Sequence, residues 1–195
     1  MHGFDAREAP FRRLLEQDCL HRVYAYPHQL NLLDRPDARV LPMPAAFDTH
    51  LFQYAPAKDS RLVVRTGACL PSKDLRLFFD VAKRLPSHRF VFCGVTCNEF
   101  EHYPEELRRM AAQMGTPAEL RFDVPHEEVA GLVASAGVYL HTILPPESPH
   151  GAPIGMPISI AEAMATGAYV LVRELPELLD YVGEAGDSYR DAAQA

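Results

Sequence analysis

From Arg61 onward, short apolar runs alternate with longer stretches that are apolar on one side only, and Gly or Pro marks most of the boundaries. Leu62-Val63-Val64-Arg65-Thr66, Phe90-Val91-Phe92-Cys93-Gly94, Leu120-Arg121-Phe122, Val138-Tyr139-Leu140-His141 and Tyr169-Val170-Leu171-Val172 read as five strands. Between and after them the pattern predicts helices from Lys73 to Leu85, from Pro104 to Met114 with a stop at Gly115, from Pro125 to about Ser135, and from Leu175 to Val182. Glu127 and Glu128 fall in the first turn of the third of these, where the helix dipole favours them. Such alternation is the signature of βαβ units, and it predicts an α/β fold: a doubly wound parallel sheet with helices on both faces. The strand C-terminal ends then share one edge, where ligands of such sheets bind. Loops starting at Gly67, Gly94, His141 and Arg173 leave from that edge, as does Thr142 to Met156, which is long and proline-rich for an internal connection.

One further helix carries the most chemistry. In Ile154-Gly155-Met156-Pro157-Ile158-Ser159-Ile160-Ala161-Glu162-Ala163-Met164-Ala165-Thr166-Gly167, Pro157 suits the first helical position and Gly167 the left-handed position past the end. Ile158, Ala161 and Ala165 fall on one face, expected to pack closely. The unpaired amides of the first turn, Ile158 and Ser159 among them, form an anion site, and Glu162 stands near enough to accept hydrogen bonds from hydroxyls of the same ligand. Phosphate with sugar hydroxyls describes a nucleotide. An ordinary surface helix with a solvated glutamate fits the same segment.

Residues 1–57 follow a different pattern. Val23 to Tyr26 and Arg39 to Met43 suit short strands, and Pro42 to Pro56 reads as a connector, so this stretch is expected to be an appendage or the remnant of a preceding domain, with the main domain at 58–195. The chain ends shortly after what reads as a Gly-Asp-Ser turn, which suggests a fragment.

With 195 residues and 48% hydrophobic content there is enough for one full domain but not two large ones. The 26 acidic residues against 19 basic, a formal charge of −7, argue against nucleic acid as the partner, so any phosphate site must be local. No run is long and apolar enough for a transmembrane segment, and the expected localisation is cytoplasmic. Cys19, Cys69, Cys93 and Cys97 are too few and irregular for a disulfide framework and are read as reduced; Cys93 and Cys97 have no second pair to complete a zinc site, and no metal is expected.

Three segments then occur in a recognisable order: Gly67-Ala68-Cys69-Leu70-Pro71-Ser72-Lys73, Phe122-Asp123-Val124-Pro125-His126-Glu127-Glu128-Val129, and Ile154 to Gly167. Together they resemble the nucleotide-sugar half of GT-B glycosyltransferases, in particular the large retaining family of glycogen synthase-like, sucrose synthase-like and mannosyl transferases (glycosyl transferases group 1). That family carries a Gly-Arg-x-x-x-x-Lys loop and a Glu-x7-Glu element in a Rossmann-like C-terminal domain. Phe47-Asp48-Thr49-His50-Leu51-Phe52 resembles the connector entering it, and Leu140-His141-Thr142 is similar to mannosyltransferases of lipid-linked glycan assembly. The resemblance covers roughly residues 39–190.

It implies that Lys73 binds the donor diphosphate and that Glu162 takes the ribose hydroxyls. Val124 would line the base through its backbone, and Gly67 would let the backbone approach the ligand. His141 is a further candidate donor to the nucleotide sugar, with a satisfied strand-end histidine as the alternative. Two positions depart from the family pattern. Ala68 replaces the arginine that partners the lysine, and the position eight residues before Glu162 is Ile154, not glutamate. Glu147 is the candidate to fill that place if 148–153 is an insertion; otherwise it is a solvated loop carboxylate.

The activity implied is transfer of a hexose from a UDP-, GDP- or ADP-linked sugar, with retention and without metal or other cofactor, the lysine and helix amides stabilising the departing diphosphate. The acceptor is unidentified and, in that family, normally sits on a separate N-terminal domain, which is expected to be missing from these residues. The competing expectation, favoured by Ala68 and Ile154, is a catalytically degenerate nucleotide-binding module or a half that docks onto a partner.

Overall fold

The computed structural model describes residues 23–25, 40–42, 46–152, 155 and 157–195. The chain falls into two units, Met1–Ala46 with Pro153–Pro157, and Phe47–Ala152 with Ile158–Ala195. In the first, β1 (Val23–Ala25) and β2 (Val40–Pro42) pair in parallel, with Val23 opposite Val40.

The second unit is built on six strands: β3 (Asp59–Ala68), β4 (Arg89–Val95), β5 (Glu119–Phe122), β6 (Ala136–His141), β7 (Tyr169–Arg173) and β8 (Gly186–Tyr189). Their order is β5-β4-β3-β6-β7-β8, and every pair is parallel. The connecting helices are α1 (Leu75–Arg84), α2 (Tyr103–Met114), α3 (His126–Ser135), α4 (Ile158–Thr166) and α5 (Pro176–Val182). The chain steps from β3 to β4 to β5, returns beside β3 as β6, and then steps the other way to β7 and β8. Right-handed crossovers therefore put α1 and α2 on one face and α3, α4 and α5 on the other. The reversal between β3 and β6 is the switch point at which sheets of this kind hold ligands.

Strand alternation explains the core. Val63, Phe90, Phe92 and Leu140 turn to the face where Leu75, Phe78 and Phe79 of α1 and Leu107 and Ala111 of α2 pack. Phe78 meets Phe79 and Phe90 edge-on, with ring centroids 6.3 and 5.5 Å apart. Each such ring contributes about 1.5–3 kcal/mol by leaving water. Helix α2 ends where its sequence dictates, at Gly115 with φ of 62°. Among the described residues no helix is long and apolar enough to cross a membrane.

Three details differ from expectation. Gly186-Asp187-Ser188-Tyr189 forms the sixth strand instead of a turn; a Cβ on Gly186 would lie 1.9 Å from the Val170 carbonyl oxygen, so glycine is what allows β8 to approach β7. Lys73 closes a 3-10 turn, Pro71–Lys73, rather than opening the helix, because Asp74 adopts a left-handed conformation (φ 47°) and caps α1 by accepting from the Leu77 N–H. In α4 the buried residues are Ile160, Ala161, Ala163 and Thr166, whereas Ile158 is half exposed.

Candidate functional site

At the C-terminal ends of the strands lies a cavity of about 270 Å³. Thr66 and Gly67 of β3 and Cys93, Gly94 and Val95 of β4 form one side; Val124, His126 and Val129, before and within α3, form another; Ser159 and Glu162 of α4 complete it. The glycines are there for space and conformation. Gly67 has φ of 148°, and a Cβ on Gly94 would come within 2.5 Å of the Cys69 sulfur. The walls given by Val95, Val124 and Val129 are apolar and suit a flat ring. Two loops meet at the mouth, where the Asp123 N–H donates to the Gly94 carbonyl at 2.9 Å and Asp123 itself takes φ of 55°.

Glu162 presents a carboxylate whose side chain is 14% exposed. Burial raises its pKa, and the nearby His126 imidazole, 3.8 Å away, works in the opposite direction. The buried Tyr181 hydroxyl has no partner among the described residues, and burial together with the Glu162 charge pushes its pKa up to about 12. Lys73 is brought down to about 8, first by burial and then by the Arg65 guanidinium. His141 is held well below the ordinary imidazole range by burial and then by Arg65 and Lys73, so it is neutral, and its Nδ1 lacks a partner among the described residues. Cys69 and Cys93 are buried free thiols, pushed by burial to about 12 and about 11.

Of the residues singled out in the sequence, Gly67, Val124, Ser159 and Glu162 line this one cavity, although they come from three separate segments. Lys73 lies outside its lining, anchored through its carbonyl, which accepts the Thr142 hydroxyl at 2.7 Å. His141 is buried at the end of β6, and Ile158 is half exposed at the start of α4. Glu147 is exposed on a turn closed by the Ser148 N–H to the Pro145 carbonyl, away from the cavity lining. Ile154 lies outside the described residues, as do residues 1–22, 26–39 and 43–45 of the expected appendage. The roles of Arg65, Asp123, His126 and Tyr181 are not assigned from the sequence. Asp123 and His126 stand within the second of the three family-like segments, a charge inside an apolar strand run marks Arg65, and no signal marks Tyr181. Among the described residues no trio of His, Cys, Asp or Glu is placed to hold a metal ion.

No known family model matches the sequence. The structure is similar over its whole length to a glycosyltransferase from Rickettsia africae, with a TM-score of 0.74 at 10% identity, covering 56% of that chain. Anabaena HepE, solved with UDP and glucose, gives 0.70 at 15% identity over 89% of this chain and 51% of its own. The chain has the fold of about half of each of these two glycosyltransferase chains. The separately solved C-terminal domain of the group 1 glycosyl transferase LpcC from Francisella tularensis is also similar, with a TM-score of 0.56 at 16% identity over 76% of this chain and 83% of its own. By sequence, the chain is 29% identical over 119 residues to a Xenopus laevis GDP-Man:Man(3)GlcNAc(2)-PP-Dol alpha-1,2-mannosyltransferase, covering 61% of this chain and 22% of the relative. The chain thus spans about half the length of the two full GT-B neighbours, at 56% and 51%, and a smaller share of the relative.

Proposed function

We propose that the chain is the donor-binding half of a glycosyltransferase that moves a hexose from a nucleoside-diphosphate sugar to an acceptor with retention at the anomeric carbon. The observation that carries this reading is the convergence of Gly67, Val124, Ser159 and Glu162 on one cavity at the strand ends. The apolar walls take the base, Glu162 accepts from the ribose hydroxyls, and the first-turn amides of α4 with Lys73 take up the charge that grows on the departing diphosphate. The Xenopus relative is named for GDP-mannose and HepE was solved with UDP, so both bases are candidates. Residues 1–57 act as appendage and connector, and the acceptor site is supplied by a further domain.

Titration calorimetry of the chain against UDP, GDP and ADP and their sugars tests the reading. Binding of one nucleotide in the micromolar range, weakened in both Lys73→Ala and Glu162→Ala, is the expected result; no binding at millimolar concentration sinks it. A second reading, a nucleotide-binding module without transfer, is favoured by the position of Glu147 on an exposed turn and by the absence of a cationic side chain at Ala68. It predicts the same binding with no hydrolysis or transfer of the bound sugar, even when an acceptor half is supplied.

A further inference from the structure

Arg65 is 1% exposed at the sheet's switch point, between β3 and β6. Its guanidinium is held from several sides. Nη1 donates to the Thr66 carbonyl and, at 3.3 Å, to the Tyr139 hydroxyl; Nη2 donates to the Thr142 carbonyl at 3.0 Å, and Nε faces the Thr142 hydroxyl at 3.4 Å. The Tyr139 hydroxyl is itself fixed by the Thr66 carbonyl at 3.1 Å and the Thr66 hydroxyl at 3.0 Å. Every one of these acceptors is neutral. Among the described residues no carboxylate lies within ion-pair distance, and of the five guanidinium N–H groups four are used.

A buried cation without a counter-ion is costly, and buried charges in proteins are as a rule paired. Nη1 lies 3.1 Å from the position a Cβ on Gly67 would occupy, which places the charge directly beneath the backbone that lines the cavity. Lys73 and His141 feel the same charge, and neither supplies an acid. We propose that the missing counter-ion of Arg65 is the diphosphate of the donor, and that Arg65 is the positioning residue whose fixed charge, acting under Gly67, does the work that no side chain at Ala68 can do. This rests on the donor-binding reading above and names the residue that selects a charged ligand within it.

The test is the ratio of affinities for a nucleoside diphosphate and its uncharged nucleoside (UDP against uridine, GDP against guanosine, ADP against adenosine), measured for the unaltered chain, Arg65→Gln and Arg65→Lys. Thermal melting checks that each folds. The ratio is expected to fall about tenfold in Arg65→Gln and to stay within a few-fold in Arg65→Lys, with nucleoside affinity unchanged in both. If Arg65→Gln weakens nucleoside and diphosphate equally, Arg65 only supports the cavity and the inference is overturned. Should Arg65→Gln fail to fold, the Arg65 Nε resonance of the unaltered chain, labelled with ¹⁵N-arginine, gives the answer: it moves with the diphosphate and not with the nucleoside, and a resonance that moves with neither overturns the inference. An unaltered chain that binds neither ligand overturns the donor-binding reading itself, which separates the two failures.

Discussion

Asp123 holds Thr96 with both carboxylate oxygens, Oδ1 accepting the Thr96 N–H at 2.8 Å and Oδ2 its hydroxyl at 2.7 Å. The loops after β4 and β5 are thereby tied together, and with them Val95 and Val124, which both line the cavity. Asp123→Ala is expected to weaken nucleotide affinity several-fold, and Asp123→Asn, which keeps the shape and one acceptor, less. Those same bonds hold the Asp123 carboxylate below its usual pKa, so its contribution to stability is present above about pH 4 and is lost as pH falls through the folded value. Calorimetry on the two variants decides; equal affinity in all three proteins would remove the clip from the account of the site.

Lys73 gives a pH dependence of opposite form. Its pKa of about 8 means that the cation is lost as pH rises through that value, and diphosphate affinity should fall progressively between about pH 8 and 10 while nucleoside affinity stays level. In the unliganded chain the sign reverses. The unfolded lysine binds the proton more tightly, so Lys73 contributes a gain in stability as pH rises from about 8 toward the ordinary lysine value.

Glu162 is expected to trade stability for binding. Burial raises its pKa, so the ionised form costs the folded chain stability at neutral pH. Glu162→Gln should raise the melting temperature of the unliganded protein while lowering nucleoside-diphosphate affinity about tenfold. A variant that loses both would show the carboxylate to be a structural group.

Away from the cavity, Arg173 reaches Asp74 at 2.5 Å with side chains only 13% and 12% exposed, and its Nε donates to the Ile143 carbonyl at 2.6 Å. Breaking this pair strands a buried charge. Arg173→Met is expected to cost about 3 kcal/mol in denaturant unfolding, more than Asp80→Ala, whose ion pair with Arg84 is solvent-exposed.

The legible parts of the fold were those whose physics is local. Strands β4, β6 and β7 are apolar runs bounded by turn residues, and α2 and α5 announce themselves by a proline at one end and a glycine at the other. Strand β8 offers no apolar run; only Tyr189 is buried, and the strand exists because Gly186 admits the Val170 carbonyl. For the cavity the readable features were again local: a glycine after a strand, a helix start, a carboxylate one turn in. Arg65 stands out in the sequence only as a charge within an apolar run; its partners are not legible there because Tyr139 and Thr142 lie 74 and 77 residues further along the chain. The sequence pattern puts Lys73 in a helix because nothing in it declares the left-handed turn at Asp74.

The burial of Cys69 and Cys93 also leaves Cys97, half-buried and next to the Asp123–Thr96 clip, as the readily alkylated thiol among the described residues. With Cys19 replaced by serine, a maleimide dye should attach at Cys97 alone, as peptide mapping would verify. The chain would then carry a single optical reporter two residues along from Val95 of the cavity wall, and a ligand entering could be followed by emission in real time, with no sugar transfer required.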